Sequence, residues 1–405
     1  MQPLRRILDQ IAPNFEKGGS LEKFYPVYEL LDTGAFTPGH TTRTASHVRD
    51  ALEMKRMMIT VVVALIPVML VAIYNTGYQA NYAISQGAEP LPDWHTIIFT
   101  TLGGQFDPGN FLACLALGAL FYLPVLIATF ATGGLIELAS AIIRREDVNE
   151  GFLVTGMLIP LTLPPTIPLW QVVLGTTFGI LIGKEIFGGT GMNFLNPALL
   201  ARAFLFFAYP ADISGTQPWI AADFMGVDNF TGATWLAQAA ETSGVLANAN
   251  WWDAFWGWVP GSMGETSAAA CLVGAAILLI TQVGSWRTIA GVTLGTFLMA
   301  YFLNWVGSET NPMFGVTFSW HIVLGGWALG TVYMATDPVS SSFTDRGRWI
   351  YGTLIGVLTI LIRSVNPAYP EGMMLAILFM NMFAPLIDYF GLQANIRRRL
   401  ARDAI

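Results

Sequence analysis

Two kinds of reactive side chain stand out in this sequence, a hydroxyl in a glycine-containing loop and a pair of thiols. The loop reads Asp228-Asn229-Phe230-Thr231-Gly232-Ala233-Thr234, and its last threonine is either a satisfied hydrogen-bonding group or the acceptor of a transferred group. Cys114 and Cys271 lie in separate apolar runs. Because an iron–sulfur cluster or a structural zinc site needs about four protein ligands, we predict two buried thiols and no metal centre on this chain.

Three carboxylates near the ends of apolar stretches form a second group of candidates. They are Glu137, Asp337 and Asp388. Hard cations prefer oxygen ligands, so together they indicate a funnel that collects a cation. The alternative is that each is an ordinary residue at the membrane surface, where a charge costs less than the about 2.5–3.5 kcal/mol of a helix centre.

The glycine pair Gly133-Gly134 lies one turn before Glu137. Small residues let helices pack closely, and backbone without side chains also accommodates a flat ring. Both interpretations remain open from the residues alone.

The composition indicates the solvent in which these residues must be positioned. Of the 405 residues, 54% are hydrophobic and 12% are charged, about half the charged share of a soluble domain. Ten apolar stretches are near the length that crosses a bilayer, at 57–75, 112–140, 152–165, 168–187, 198–210, 266–283, 286–305, 319–337, 349–364 and 372–390. We therefore predict an all-α polytopic membrane protein.

Lysine and arginine orient these spans by the positive-inside rule. Eight of them precede the first span, and those that follow it, including Lys184 and Arg202, fall on the same side. Arg363 is the exception, explained either by pairing with Glu371 or by facing a phosphate. We predict cytoplasmic termini and an exported loop at 211–265, whose Trp251–Trp258 run forms an interfacial helix or an aromatic belt.

The ten spans divide into two sets of five that enter the membrane from opposite faces. Asn196-Pro197-Ala198 precedes the fifth span and Asn366-Pro367-Ala368 precedes the tenth, which favours an inverted 5+5 repeat. The predicted organisation is a cytoplasmic N-terminal extension, a first repeat, the exported loop, a second repeat and a basic cytoplasmic tail, at 1–56, 57–210, 211–265, 266–390 and 391–405.

The exported loop resembles a known modification signal. Its Asp-x-x-Thr-Gly-Ala-Thr pattern over 228–234 is similar to the sequence read by flavin transferases, which join FMN through a phosphodiester to the last threonine. The resemblance implies covalent FMN on Thr234, with Asp228, Thr231, Gly232 and Ala233 completing the signal. That chemistry requires an accessible hydroxyl on a flexible loop outside the membrane.

Further motifs extend the resemblance to nearly the whole chain. They resemble the family of B subunits of Na⁺-translocating NADH:quinone reductases and, less closely, the related D subunit of the Rnf complex. The motifs are Ser46-His47-Val48-Arg49-Asp50, Asn149-Glu150-Gly151-Phe152, Gly188-Gly189-Thr190-Gly191, Phe194-Leu195-Asn196-Pro197-Ala198, Met334-Ala335-Thr336-Asp337-Pro338-Val339 and Asn366-Pro367-Ala368-Tyr369-Pro370-Glu371-Gly372-Met373-Met374.

The resemblance implies a redox-driven sodium pump of the bacterial inner membrane. Electrons would come from an NADH-oxidising flavin and iron–sulfur subunit, and another subunit with covalent FMN would be a further partner. On this chain they would reach FMN and a non-covalent riboflavin and then reduce ubiquinone. Maturation would require a flavin transferase, no nucleic-acid partner is expected, and the isolated chain would be inactive.

The resemblance also implies roles for the other candidates. Gly133 and Gly134 match positions associated with the quinone, and Glu137, Asp337 and Asp388 match positions of sodium uptake. Two alternative functions are an Rnf-type D subunit of electron transport and a non-redox channel or transporter with inverted repeats. Because channels and transporters can share the inverted-repeat architecture, the fold alone does not decide between these functions. Gly188–Gly191 is a hinge or close-packing segment, or it lines the riboflavin site.

Overall fold

The computed structural model describes residues 2–15, 19–28, 54–145, 151–224, 227, 230–366 and 371–403. Within these ranges the chain is helical, and its one β-type contact is an isolated antiparallel bridge between Glu89 and Asp223. The predicted all-α class is confirmed. Several motifs fall outside the described ranges, among them Ser46–Asp50, Asn149, Asp228 and Pro367–Pro370.

The α-helices are α1 Gln2–Phe15, α2 Met54–Ser85, α3 Trp94–Thr101, α4 Phe111–Arg144, α5 Gly151–Leu161, α6 Leu169–Thr177, α7 Pro197–Ala208, α8 Trp235–Glu241, α9 Trp251–Trp256, α10 Ala268–Ile280, α11 Trp286–Val306, α12 Phe318–His321, α13 Trp327–Leu329, α14 Asp345–Val365 and α15 Met373–Asp403. Single π-helical turns follow α6 at Phe178–Ile182 and α13 at Gly330–Met334. Short 3₁₀ turns lie at Glu22–Phe24, Glu185–Phe187, Pro210–Asp212, Val245–Ala247 and Pro312–Gly315.

Six helical stretches in the described part of the chain are long and apolar enough to cross a membrane. They are Arg56–Ser85, Phe111–Arg144, Leu169–Phe187, Trp286–Val306, Asp345–Val365 and Met373–Arg402. Three of the other predicted spans coincide with the shorter apolar helices α5, α7 and α10. The remaining one, 319–337, is broken into α12, α13 and a π-helical turn. The count of ten and the inverted repeat therefore stay predictions.

The interruptions have local causes. Gly325 has a φ of 63° between α12 and α13, a left-handed conformation that favours glycine. Asn196 begins α7, because its side chain accepts hydrogen bonds from the N–H groups of Ala198 and Leu199, an N-cap followed by Pro197 at the first helical position. The short helices therefore end inside the molecule, where polar side chains can meet.

Glycines bring two pairs of long helices into backbone contact. A Cβ on Gly77 of α2 would lie 1.8 Å from the Cys114 carbonyl oxygen of α4, and one on Gly118 of α4 would lie 1.8 Å from the Ile73 carbonyl oxygen. The helices α11 and α14 meet in the same way through two glycine pairs spaced four residues apart, Gly291, Gly295, Gly352 and Gly356. This is the close packing that small residues permit between membrane helices.

One large apolar core joins both predicted repeats. It contains Leu199 of α7 and Ile377 of α15, which are 1% and 0% exposed. Charged side chains are buried inside it, which is costly unless they are paired. These buried charges are the candidates for function.

Candidate functional site

Thr234 lies at the start of α8, within the predicted flavin-attachment loop. Its hydroxyl accepts a hydrogen bond of 3.2 Å from the Ala237 N–H and caps the helix. A residue larger than glycine would clash at position 232, since a Cβ on Gly232 would lie 2.4 Å from the Thr216 carbonyl oxygen. The Thr231 hydroxyl accepts from the Ala233 N–H at 3.2 Å. The Thr-Gly-Ala-Thr segment is therefore a tightly packed turn.

The two threonines of this turn differ in exposure. Thr234 is 9% exposed, whereas Thr231 is exposed. The expected accessible hydroxyl at Thr234 is therefore not found in this conformation, because the side chain is turned inward to cap α8. A transferase can reach it only when the turn opens or before it packs.

Thr234 borders a small cavity that is also lined by Ser262 and by two buried carboxylates, Glu265 and Glu371. The guanidinium of Arg202, on α7, forms ion pairs with both carboxylates and donates to the Ser262 hydroxyl at 3.1 Å. The cavity volume of about 20 Å³ admits roughly one water-sized group. A flavin ring on Thr234 would therefore lie outside this cavity.

Arg363 is fully buried next to this cluster. It donates to three main-chain carbonyl oxygens, those of Glu371 at 3.0 Å and of His321 and Leu324 at 2.8 Å. The predicted partnership with Glu371 exists, but it runs through the main chain, because the Glu371 carboxylate faces Arg202. Arg363 thus ties together the loops before α13 and α15.

Glu137 of α4 forms an ion pair with Lys184, and the two are 6% and 3% exposed. Beside it, Arg144 pairs with Glu185 at 2.8 Å. The predicted sodium-binding carboxylate at Glu137 therefore holds a lysine ammonium in this structure. The pair joins α4 to the segment that follows the π turn Phe178–Ile182.

Asp337 lines a second cavity, which is larger than the one beside Thr234. Its carboxylate accepts hydrogen bonds from the Ser340 hydroxyl at 2.7 Å and the Val339 N–H at 3.1 Å. The cavity volume is about 50 Å³, enough for a few water-sized groups and too small for a three-ring flavin. Other polar lining residues are Lys184, Thr190, Asn193, Asn196 and Thr336. An oxygen-rich wall beside a carboxylate suits a small hard cation.

Asp388 of α15 is fully engaged in a structural contact. Its carboxylate accepts from the Ser342 hydroxyl, the Phe343 N–H, and the N–H and hydroxyl of Thr344 at 2.6–2.9 Å. Thr344 is the N-cap of α14. Asp388 therefore fixes the start of that helix.

The glycine pair on α4 is divided between two environments. A Cβ on Gly133 would lie 2.2 Å from the Phe152 ring and 2.5 Å from the Ile180 side chain. A Cβ on Gly134 would meet Phe152 at 3.8 Å, which is ordinary contact. The space beside the Gly133 Cα is therefore occupied by Phe152 and Ile180, whereas Gly134 has room for a Cβ.

Two charges used to orient the spans prove to be buried. Lys184 and Arg202 bracket the link between the fourth and fifth predicted spans, and the structure places Arg202 in the middle of α7 and buries both side chains. Each has a buried carboxylate partner, which the sequence analysis did not predict. An ionisable residue inside an apolar stretch is the signal that was available.

Similarity to known proteins extends over the chain almost from end to end. The sequence profile of the NQR2, RnfD, RnfE family matches residues 41–397. The B subunit of Na(+)-translocating NADH-quinone reductase from Chromohalobacter salexigens is 55% identical over 403 residues, covering 99% of this chain and 97% of that protein. The proteins of the same name from Pseudomonas aeruginosa and Azotobacter vinelandii are 53% and 52% identical over 406 residues, covering 99% of each chain.

Proposed function

The chain belongs to the NQR2, RnfD, RnfE family, and from this membership we propose that it is the membrane subunit of a redox-driven sodium pump. The observation that carries the proposal is the identity of more than half of all residues, over 99% of the chain, to the B subunit of a Na(+)-translocating NADH-quinone reductase. The resemblance predicted from the motifs is thus confirmed. We propose that the chain takes part in electron transfer to ubiquinone and in export of Na⁺.

Covalent FMN on Thr234 is part of the proposal. The attachment point fits the chemistry, since Thr234 supplies the hydroxyl that a phosphodiester requires, at the start of α8. A flavin held there would supply one- and two-electron transfer. Thr234 would anchor it, and the packed Thr-Gly-Ala-Thr turn would fix its point of attachment. Riboflavin would require space beyond the cavities beside Thr234 and Asp337, because neither admits its rings.

The partners follow from what this chain carries. Within the described residues no three His, Cys, Asp or Glu side chains are grouped to hold a metal, and the two cysteines are free and buried. In the proposal the iron–sulfur and NADH-oxidising centres lie on another subunit of the complex, and a further subunit carries a second covalent FMN. A flavin transferase is required for maturation.

Asp337 is the carboxylate that we assign to sodium uptake. It alone of the three candidates lines a cavity with several neutral oxygens, whereas Glu137 is paired with Lys184 and Asp388 holds α14. Gly134 is the proposed quinone contact, because it has free space beside its Cα. Cytoplasmic termini, an exported loop at 211–265 and an inner-membrane location complete the proposal.

Transport assays on the assembled complex test this function. Proteoliposomes that contain the complex should accumulate Na⁺ when NADH and ubiquinone are added, and a complex without this chain should not. Na⁺-independent quinone reduction would contradict the sodium-pump proposal. Electron transfer to an acceptor other than quinone would favour the Rnf-type D subunit.

A further inference from the structure

A buried lysine borders the cavity that contains Asp337. Lys184 is 3% exposed, pairs with the Glu137 carboxylate and lines the same cavity as Asp337. A lysine removed from water keeps its charge only beside an opposite charge. Glu137 is therefore the group that maintains a positive charge in this wall.

Each of the two charged residues in the cavity wall follows a single π-helical turn. Phe178–Ile182 precedes Lys184, and Gly330–Met334 precedes Asp337. Single π turns are frequent at functional sites. Both charged residues of the cavity wall thus follow a backbone feature of this kind.

The charges around the cavity are unequal. Lys184 pairs with Glu137, and Arg144 pairs with Glu185. In the described part of the chain the hydrogen-bond partners of the Asp337 carboxylate are neutral, namely the Val339 N–H, the Ser340 hydroxyl and the Asn196 amide. Among the described residues the Asp337 carboxylate therefore has no cationic hydrogen-bond partner, and Lys184, which lines the same cavity, is held by Glu137.

We propose that Lys184 is a tethered cation that sets the affinity of the Asp337 cavity for Na⁺. This inference rests on the proposed function, in which Asp337 receives Na⁺. While Glu137 holds the Lys184 ammonium, the cavity is open to Na⁺, but the positive charge of the ammonium lowers the affinity for the ion. Released from Glu137, the same ammonium neutralises Asp337 and excludes the ion. A unit charge across a cavity of this size changes the affinity for a cation by on the order of tenfold.

The inference predicts opposite effects for the two partners. Lys184→Gln removes the repulsion and should lower the Na⁺ concentration for half-maximal binding on the order of tenfold. Glu137→Gln leaves the lysine free to neutralise Asp337 and should raise it by a similar factor. The double variant, with both charges removed, should bind like Lys184→Gln. A purely structural ion pair would weaken binding, or leave it unchanged, in both single variants.

Two measurements follow the binding. Thermal unfolding of the purified full-length chain in detergent, at increasing Na⁺, reports occupancy without electron transfer, because a ligand that binds the folded state raises the melting temperature. Na⁺ titration of quinone reduction by the assembled complex reports the same site at work. The matched control is Arg287→Gln, which removes a partly exposed arginine from its 3.1 Å pair with Asp345 and should shift neither titration.

The outcomes separate this inference from the proposed function. Opposite shifts for Lys184→Gln and Glu137→Gln support it, and shifts of the same sign or no shift overturn it. If Lys184→Gln fails to fold because Glu137 is left unpaired, the double variant decides, and wild-type affinity there overturns the inference. An Asp337→Asn variant that keeps wild-type Na⁺ dependence would instead refute the assignment of Asp337, whatever Lys184 does.

Discussion

The glycine pair on α4 offers a test that separates packing from ligand binding. A Cβ added at Gly133 would lie 2.2 Å from the Phe152 ring, whereas one at Gly134 would lie 3.8 Å from it. Overpacking of this kind costs about 1–3 kcal/mol. Both substitutions to alanine also gain about 1 kcal/mol of helix propensity, so this gain cancels when the two variants are compared.

Gly133→Ala is therefore expected to be less stable than Gly134→Ala by about 1–3 kcal/mol. Unfolding of the two purified variants in detergent measures this difference. Adding Phe152→Leu should recover part of the loss in Gly133→Ala, since the Ile180 side chain stays 2.5 Å from the added Cβ, and should have no such effect in Gly134→Ala. In the assembled complex, Gly134→Ala should raise the KM for quinone while its stability is unchanged or improved.

Two results would refute this reasoning. Equal stability of the two variants would show that Phe152 does not fill the space beside Gly133. An unchanged quinone KM in Gly134→Ala would remove Gly134 from the quinone site. The contrast matters because the two glycines are adjacent and have the same sequence signal.

Three further predictions concern the buried charges. Asp337→Ala should raise the Na⁺ concentration needed for half-maximal quinone reduction several-fold. Asp388→Asn should instead lower the free energy of unfolding by about 1.5–3 kcal/mol and leave the Na⁺ titration unchanged. A shifted Na⁺ titration in Asp388→Asn and none in Asp337→Ala would contradict these assignments. Arg202→Met should destabilise the chain by about 3–5 kcal/mol, since it leaves two buried carboxylates unpaired, and a thermal melt without loss would show that the cluster is hydrated. Burial raises the pKa of Glu265 from 4.5 to about 8, opposed by Arg202 and reinforced by Glu371. The folded chain then binds a proton that the unfolded chain has lost, so stability should fall as pH rises through this window, and Glu265→Gln should flatten the profile.

The long helices were predictable because hydropathy over about 20 residues is an additive property of the sequence. The predicted stretches 112–140 and 286–305 coincide closely with Phe111–Arg144 and Trp286–Val306. For the Trp251–Trp258 run the sequence favoured an aromatic belt over an interfacial helix, and the segment is helical over Trp251–Trp256. The break in 319–337 was not predictable in detail, since a π turn at Gly330–Met334 depends on packing from other helices.

The candidate acids could be picked out from the sequence, but the groups that they contact could not. Glu137, Asp337 and Asp388 give the same signal, an acid near the end of an apolar stretch, yet they meet a lysine, a cavity and a helix N-terminus. The lysine is 47 residues from Glu137, and the N-cap of α14 is 44 residues from Asp388. Spacing along one helix therefore carries no information about these two partners.

Thr234 shows the same limit in another form. The motif predicts the modified residue, and charge predicts an exported loop, but neither predicts that the hydroxyl caps α8 and is 9% exposed. The neighbouring Thr231 is the exposed hydroxyl of the turn. The motif and simple accessibility thus point to different threonines.

In-gel flavin fluorescence of the denatured chain tests the central claim most directly. Wild type, Thr234→Ala and the matched control Thr242→Ala, at an exposed threonine outside the motif at the end of α8, would each be expressed with an active flavin transferase. We predict a fluorescent band for wild type and Thr242→Ala and none for Thr234→Ala. A dark wild-type band, or fluorescence kept in Thr234→Ala, would contradict covalent flavin at Thr234.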